Sequence, residues 1–117
     1  MTLYHYGGCG TCKKARAWLA ARGLEVALVD LVATPPSRKV LEGLWKRSGA
    51  PLRKFFNVSG ESYRAGGFKD RVGGMSDADM LAALAADGKL VKRPILDRGA
   101  AVLVGFDAAA WEAAVRP

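Results

Sequence analysis

Only two cysteines and a single histidine occur among the 117 residues, and that scarcity removes several kinds of chemistry. A closed zinc site takes four ligands, whereas Cys9, Cys12 and His5 supply three. A structural bridge between Cys9 and Cys12 would close a tiny loop, and the entropy gained by cross-linking grows with loop size. No apolar run approaches the length of a membrane span. "MTLYHYGGCG" turns to glycines before a secretory leader could form. The expectation is a cytoplasmic protein with no metal and no membrane contact. Internal repeats, low-complexity tracts and linkers are also missing. The length suits one domain over residues 1–117. With half of its residues hydrophobic, the chain can build a core without disulfide support.

Acidic residues are outnumbered, 11 Asp+Glu against 18 Lys+Arg, for a net charge of +7. Such a surface attracts anionic small molecules or acidic protein patches. The bases are scattered, however. No helix carries a continuous basic stripe, and no aromatics interleave with the bases as on a strand-binding surface. Direct nucleic-acid binding is not expected.

"TLYHY" is short, aromatic and β-branched, and stops at Gly7-Gly8. It reads as a strand. From Thr11 to Arg22 the pattern is helical, with Ala15 and Leu19 following Cys12 on one face and Gly23 closing the C-terminus. "EVALVDL" reads as a buried strand ending near Asp30. Strand, helix and strand in so few residues predict a right-handed parallel βαβ unit. Ser37 then caps a helix with an apolar stripe of Val40, Leu41, Leu44 and Trp45, ended by Gly49 and Pro51. "PLRKFFNVSGESYRAGG" reads as short helical turns and loops that bury Phe55 and Phe56. Ser76 with Asp79 forms a capping-box pattern for a helix whose inner face is Met80, Leu81 and Leu84, and Gly88 ends it. "RPILD" and "AAVLVGF" predict a hairpin turning at Arg98-Gly99. Asp107 caps a last helix carrying Trp111 and Val115. The predicted architecture is α/β: a thioredoxin-like mixed sheet of about four strands. A helical insertion, at about residues 37–88, separates the βαβ and ββα halves.

Two inert thiols would not need to flank a strand–helix junction behind a pair of glycines. A reactive thiol does. The thiolate is the nucleophile, so its pKa must fall. A helix start offers unpaired N–H groups and the positive end of the dipole. Cys9 falls at that start. Gly7, Gly8 and Gly10 let the backbone turn tightly and approach a ligand. Lys13, Lys14 and Arg16 add positive charge. Cys12 lies one turn in, on the face shared with Ala15 and Leu19. This predicts Cys9 as the attacking thiol and Cys12 as the resolving thiol, with a redox-active disulfide between them.

"KRPILD" places a proline at the opening of a strand, where this kind of core carries a cis peptide. Taken alone, Arg93 reads as a surface arginine before an edge proline. Within the inferred fold it is expected to face the cysteine loop. There an arginine can hold an oxyanion bidentately or stabilise a thiolate. His5 reads as an ordinary strand residue rather than a general base. Asp70 and Arg71 read as a solvated surface pair. Trp18, Trp45 and Trp111 read as core rather than binding platforms.

"YHYGGCGTCKKARAWL", "KFFNVSGESYR", "FKDRVGGMS", "DGKLVKRPILD" and "VLVGFDAAAWE" together resemble the arsenate-reductase-like family. That family includes the Spx-type transcription regulators and glutaredoxin-like reductases. The resemblance covers nearly the whole chain and is most specific at the CxxC and KRPI segments. It implies a thioredoxin-like fold and a thiol-dependent reductase with Cys9, Cys12 and Arg93 as catalytic residues. Family arsenate reductases use one cysteine in the first strand–helix loop and three arginines around the oxyanion. Cys9 and Arg93 match. Near the second arginine stand Arg53 and Lys54, with Phe55 holding its position. Gly105 replaces the third. Cys12 lies outside that one-cysteine chemistry and looks like the CxxC of the Spx-type regulators and dithiol reductases. The residues expected to meet a substrate anion are Gly10, Thr11, Lys13, Arg53 and Pro94. No resident cofactor is expected. Glutathione, thioredoxin or glutaredoxin is the reductant the resemblance implies, with glutathione as a co-substrate. Its alternative implication is a regulator that binds the RNA polymerase α-subunit.

Overall fold

The computed structural model describes residues 1–115. Strand β1 (Thr2–His5), helix α1 (Gly10–Ala21) and strand β2 (Ala27–Asp30) form the first unit, with β1 and β2 parallel. Four helices follow: α2 (Arg38–Ser48), α3 (Glu61–Ala65), α4 (Phe68–Arg71) and α5 (Asp77–Ala86). Short 3-10 turns, among them Leu52–Phe55 and Gly88–Leu90, join them. The hairpin of β3 (Ile95–Asp97) and β4 (Val102–Val104) precedes α6 (Ala108–Val115). The sheet order is β2-β1-β3-β4, with β3 antiparallel to both β1 and β4. This is the expected thioredoxin-like mixed sheet, with the helical segment lying between β2 and β3.

Alternation along the strands divides the core. Leu3 and Leu96, opposite each other in the register, face one side and pack with Ala15 and Leu19 of α1 and Trp111 of α6. Ile95 and Val102 face the other side, toward Leu41, Leu44, Phe55, Phe56, Leu81 and Leu84. Trp111 is buried, and its indole N–H donates to the Gly105 carbonyl at 3.1 Å. Trp18 and Trp45 are half-buried against the two core halves. The helix caps follow local chemistry. Ser37 accepts from the Val40 N–H at 3.2 Å, Ser76 from Asp79 at 3.1 Å, and Asp107 from Ala109 at 3.0 Å.

Three expectations need correction. The strand read across "EVALVDL" is shorter, and it is not buried: β2 is an edge strand and Leu28 is 46% exposed. Its continuous apolar run resembles that of an interior strand, but it pairs with β1 alone among the described residues. Val40, assigned to the apolar stripe of α2, points outward, while Leu41 and Leu44 carry that face. Arg71 does not pair with Asp70. Its guanidinium lies over the Phe68 ring, 4.5 Å from the centroid, and donates to the Gly66 carbonyl.

Gly88 fixes how the insert meets the sheet. Its Cα packs on the chain leaving β2, so a Cβ there would fall 1.8 Å from the Leu31 carbonyl oxygen. Only glycine allows this approach, which holds the end of α5 against the core.

Candidate functional site

The site begins where β1 ends. The Cys9 N–H donates to the Tyr6 carbonyl at 3.0 Å, closing a turn over Gly7-Gly8. Cys9 is the N-cap of α1, with φ −91° and ψ 117°. Its sulfur accepts from the Cys12 N–H at 3.3 Å, the place a serine oxygen fills at Ser37 and Ser76. A thiol in this position takes up one of the orphan N–H groups of the first turn and feels the positive end of the helix. α1 presents Cys12, Ala15 and Leu19 inward, so Cys12 is buried while Cys9 stays half-exposed. Both thiols are free.

These surroundings separate the two sulfurs. Burial works to raise the Cys9 pKa. Hydrogen bonds from the Cys12 thiol and N–H, and the charge of Arg93, outweigh it and leave Cys9 below the ordinary thiol value. Burial, with the adjoining Cys9 sulfur, pushes Cys12 up to about 12. At neutral pH the pair therefore holds one outer sulfur poised to ionise and one inner sulfur that keeps its proton.

Arg93 precedes a cis peptide to Pro94. Its guanidinium is fixed on two sides, donating to the Lys89 carbonyl at 3.0 Å and lying 5.0 Å from the centroid of the Tyr6 ring. It faces an open cleft of about 510 Å³ lined by Cys9, Thr11, Asn57, Ser59, Gly60, Lys92, Arg93 and Phe106. The fold thus brings together Cys9, Thr11 and Arg93, with Cys12 behind Cys9. Gly10 is exposed beside Cys9 in the first turn of α1. Pro94 is buried, and its carbonyl accepts from the Gly105 N–H at 2.8 Å.

Two expected anion ligands sit elsewhere. Lys13 lines a shallow groove with Arg16, Leu24 and Leu28, because the inward set of Cys12, Ala15 and Leu19 turns it away from Cys9. Arg53 is exposed, since the 3-10 turn Leu52–Phe55 buries Leu52 and Phe55. It lines a second groove of about 570 Å³ with Lys54, Lys92, Val104 and Gly105. Conversely, spacing did not reveal Tyr6, Asn57, Ser59, Lys92 or Phe106. The available signals were local: Lys92 adjoins Arg93, and "NVSG" carries turn chemistry directly after two buried phenylalanines.

Comparison with known proteins agrees with this geometry. The chain is 43% identical to YusI, an uncharacterized protein of Bacillus subtilis, over 106 residues, spanning 91% of this chain and 90% of YusI. An arsenate reductase of Rhizobium meliloti is 29% identical over 96 residues, covering 82% of this chain and 67% of that protein. The regulatory protein MgsR of Bacillus subtilis is 22% identical over 107 residues, 92% of this chain and 83% of MgsR. The crystal structure of an ArsC family related protein from Bacteroides fragilis superposes with a TM-score of 0.93. It has 36% identity and covers 96% of this chain and 94% of that one. The ArsC family profile itself matches residues 4–114, from the middle of β1 almost to the end of α6. The chain belongs to the ArsC family.

Proposed function

We propose that this protein is an arsenate-reductase-like thiol reductase in which Cys9 is the nucleophile and Cys12 the resolving thiol. One observation supports this reading above the rest: a half-exposed thiol held below its ordinary pKa at a helix N-terminus, in an open cleft that Arg93 faces. The Cys9 thiolate attacks one sulfur of a substrate disulfide. A Cys9–sulfur bond forms, the substrate S–S bond breaks, and the departing thiolate takes a proton from water. Cys12 then loses its proton and attacks Cys9 Sγ, releasing the second substrate thiol and leaving the Cys9–Cys12 disulfide. Two of the causes that keep Cys12 protonated, its hydrogen bond to Cys9 and the charge there, vanish once Cys9 is bonded. A pair of glutathione thiols, or a dithiol such as thioredoxin or glutaredoxin, returns both cysteines to thiols. Arg93 holds the anionic end of the substrate and favours the thiolate. The absence of an arginine at Gly105, and the outward position of Arg53, favour a sulfur substrate over arsenate.

The test is turnover of bis(2-hydroxyethyl) disulfide and of arsenate with glutathione. Cys9→Ser abolishes it, and Cys12→Ser slows recycling while leaving a trapped mixed disulfide at Cys9. Full activity in Cys9→Ser would overturn the assignment.

The likeness to MgsR favours one second reading, a regulator that binds the RNA polymerase α-subunit with the Cys9–Cys12 disulfide as its switch. Pull-down with purified polymerase, oxidised and reduced, separates the two. Binding in one redox state supports the regulator, and no binding in either removes it.

A further inference from the structure

Edge strands are usually guarded by lysine, proline or a covering segment. β2 has neither residue, pairs with β1 alone among the described residues, and leaves Leu28 46% exposed. On its inner side the N–H groups of Ala27 and Leu31 donate to the Met1 and His5 carbonyls, at 2.9 and 2.8 Å. Alternation turns the Leu28 and Asp30 N–H groups the other way, together with the Val26 and Leu28 carbonyls. The Asp30 carbonyl already accepts from the Thr34 N–H at 2.8 Å. The open side of β2 is therefore a short ladder of two donors and two acceptors that no described residue takes up.

A groove runs beside this ladder. Val26 and Leu28, two apart and so on one face of the strand, wall a depression of about 400 Å³ with Leu24 and with Ala17 and Ala20 of α1. α1 runs back antiparallel to the strands it connects, so its first half stands over the end of β2. Lys13 and Arg16 line the groove there, both exposed and neither in an ion pair among the described residues. Asp30, at the same end of β2, is turned onto the Val32 and Ala33 N–H groups, at 2.8 and 2.9 Å. No residue of this groove lines the Cys9 cleft.

We propose that the β2 edge and this groove dock an extended acidic segment of a partner protein. The segment adds as a fifth strand, its backbone pairing with Leu28 and Asp30. On its α1 side, apolar side chains cover Leu24, Val26 and Leu28. Two positions along the same face, a carboxylate meets Lys13 and Arg16. Charge decides against a second copy of this chain as the occupant. Pairing β2 with β2 would bring Lys13 and Arg16 of both copies together, between two chains of net charge +7. An acidic strand neutralises the same cations. The surface is separate from the thiol chemistry and does not depend on what Cys9 turns over.

The probe is a blocked synthetic peptide, Val-Thr-Val-Thr-Glu-Thr-Glu, whose valines and glutamates share one face of a strand. It is made also in reverse order, so that both strand directions are sampled. Its counterpart carries lysine in place of glutamate. Binding is read by NMR shift titration of the full chain, and strand addition by hydrogen exchange at the Leu28 and Asp30 amides. In one of its two orders the glutamate peptide shifts those amides and slows their exchange. At low salt it binds about tenfold more tightly than the lysine peptide, and added salt narrows the gap. Lys13→Glu combined with Arg16→Glu reverses the preference. Leu28→Lys, a change at an exposed side chain, abolishes binding. Equal affinity for the two peptides, binding without protection of Leu28 and Asp30, or no binding of the glutamate peptide in either order would each overturn the proposal. So would a dimer in sedimentation whose formation protects those amides without any peptide, because it would give the edge to a second copy.

Discussion

The Cys12 N–H donates to Cys9 Sγ at 3.3 Å, so the first cysteine of the CxxC pair caps the helix that buries the second. One hydrogen bond thus joins fold and chemistry: it completes the helix start and favours the thiolate. The consequence is an ordered titration. Cys9 ionises below the ordinary thiol value, while Cys12 is pushed up to about 12. Iodoacetamide at neutral pH should modify Cys9 alone, as read by peptide mass spectrometry. The Cys12 titration should move down in Cys9→Ser, because the neighbouring thiolate is gone. Equal labelling of both cysteines at pH 7 would contradict this ordering.

Arg93 acts on the same sulfur through charge. Removing a cation that faces a thiolate destabilises the ionised form, so the Cys9 pKa must rise in Arg93→Gln. Thiolate absorbance at 240 nm, followed across pH, should show the midpoint shift upward. Turnover at neutral pH should fall on the order of tenfold to a hundredfold. Arg93→Lys keeps the charge but loses the planar fork, so it should restore the thiolate more fully than the rate. An unchanged midpoint in Arg93→Gln would place Arg93 outside this electrostatic role.

At the other end of β1, where Asp97 lies opposite Thr2, Arg47 holds both carboxylate oxygens of Asp97, at 2.6 and 3.0 Å, and also donates to the Gly99 carbonyl at 2.7 Å. It fastens α2 to the hairpin. The Arg47 hydrogen bonds keep the Asp97 carboxyl below its ordinary value despite partial burial. A depressed folded-state pKa contributes stability that is present above the unfolded carboxylate value and lost as pH falls through the folded one. Thermal melts should therefore show Asp97→Asn roughly 1 kcal/mol less stable at pH 7, with the difference closing in acid. A difference that grows on acidification would have the wrong sign.

What could be read from the residues, and what could not, divides along physical lines. Ser37, Ser76 and Asp107 were legible as caps because a cap is decided within a few residues, by one side chain and one N–H, and Cys9 was legible as lying at a helix start. The order of strands and helices followed from the same local periodicities. Arg53 and Lys13 were misplaced because the direction of an exposed cation depends on what its neighbours bury. Leu52 and Phe55 turn Arg53 outward, and Cys12, Ala15 and Leu19 turn Lys13 away. Lys92 was overlooked for the opposite reason. It lines the cleft where its N–H is held by the Phe55 carbonyl, a contact far apart in the chain that its place beside Arg93 only hints at. β2 was misread as buried because its apolar run resembles that of an interior strand, whereas edge position is a property of the whole sheet.

Gly88 tests how the insert is held on the sheet. The residue has an ordinary backbone conformation, so an alanine there meets no torsional objection, only a steric one. Its Cβ would sit 1.8 Å from the Leu31 carbonyl oxygen and 2.7 Å from the carbonyl carbon, both backbone atoms that cannot swing aside. Relief requires the Gly88–Leu90 turn to lift away from the end of β2, and Leu90 and Val91 are buried in the larger core. Gly88→Ala should therefore cost about 3 kcal/mol or more, the upper range for forcing extra volume into a packed interior. Gly99→Ala provides the contrast. A Cβ there meets nothing within 4 Å, so only its positive φ of 87° is penalised, at roughly 1 kcal/mol. Urea unfolding of the two variants should rank them in that order. The Lys92–Arg93 wall continues directly from Val91, so Gly88→Ala should also raise the Cys9 pKa if it folds, by loosening Arg93. A Gly88→Ala protein as stable as the wild type would mean that the turn is not packed against Leu31.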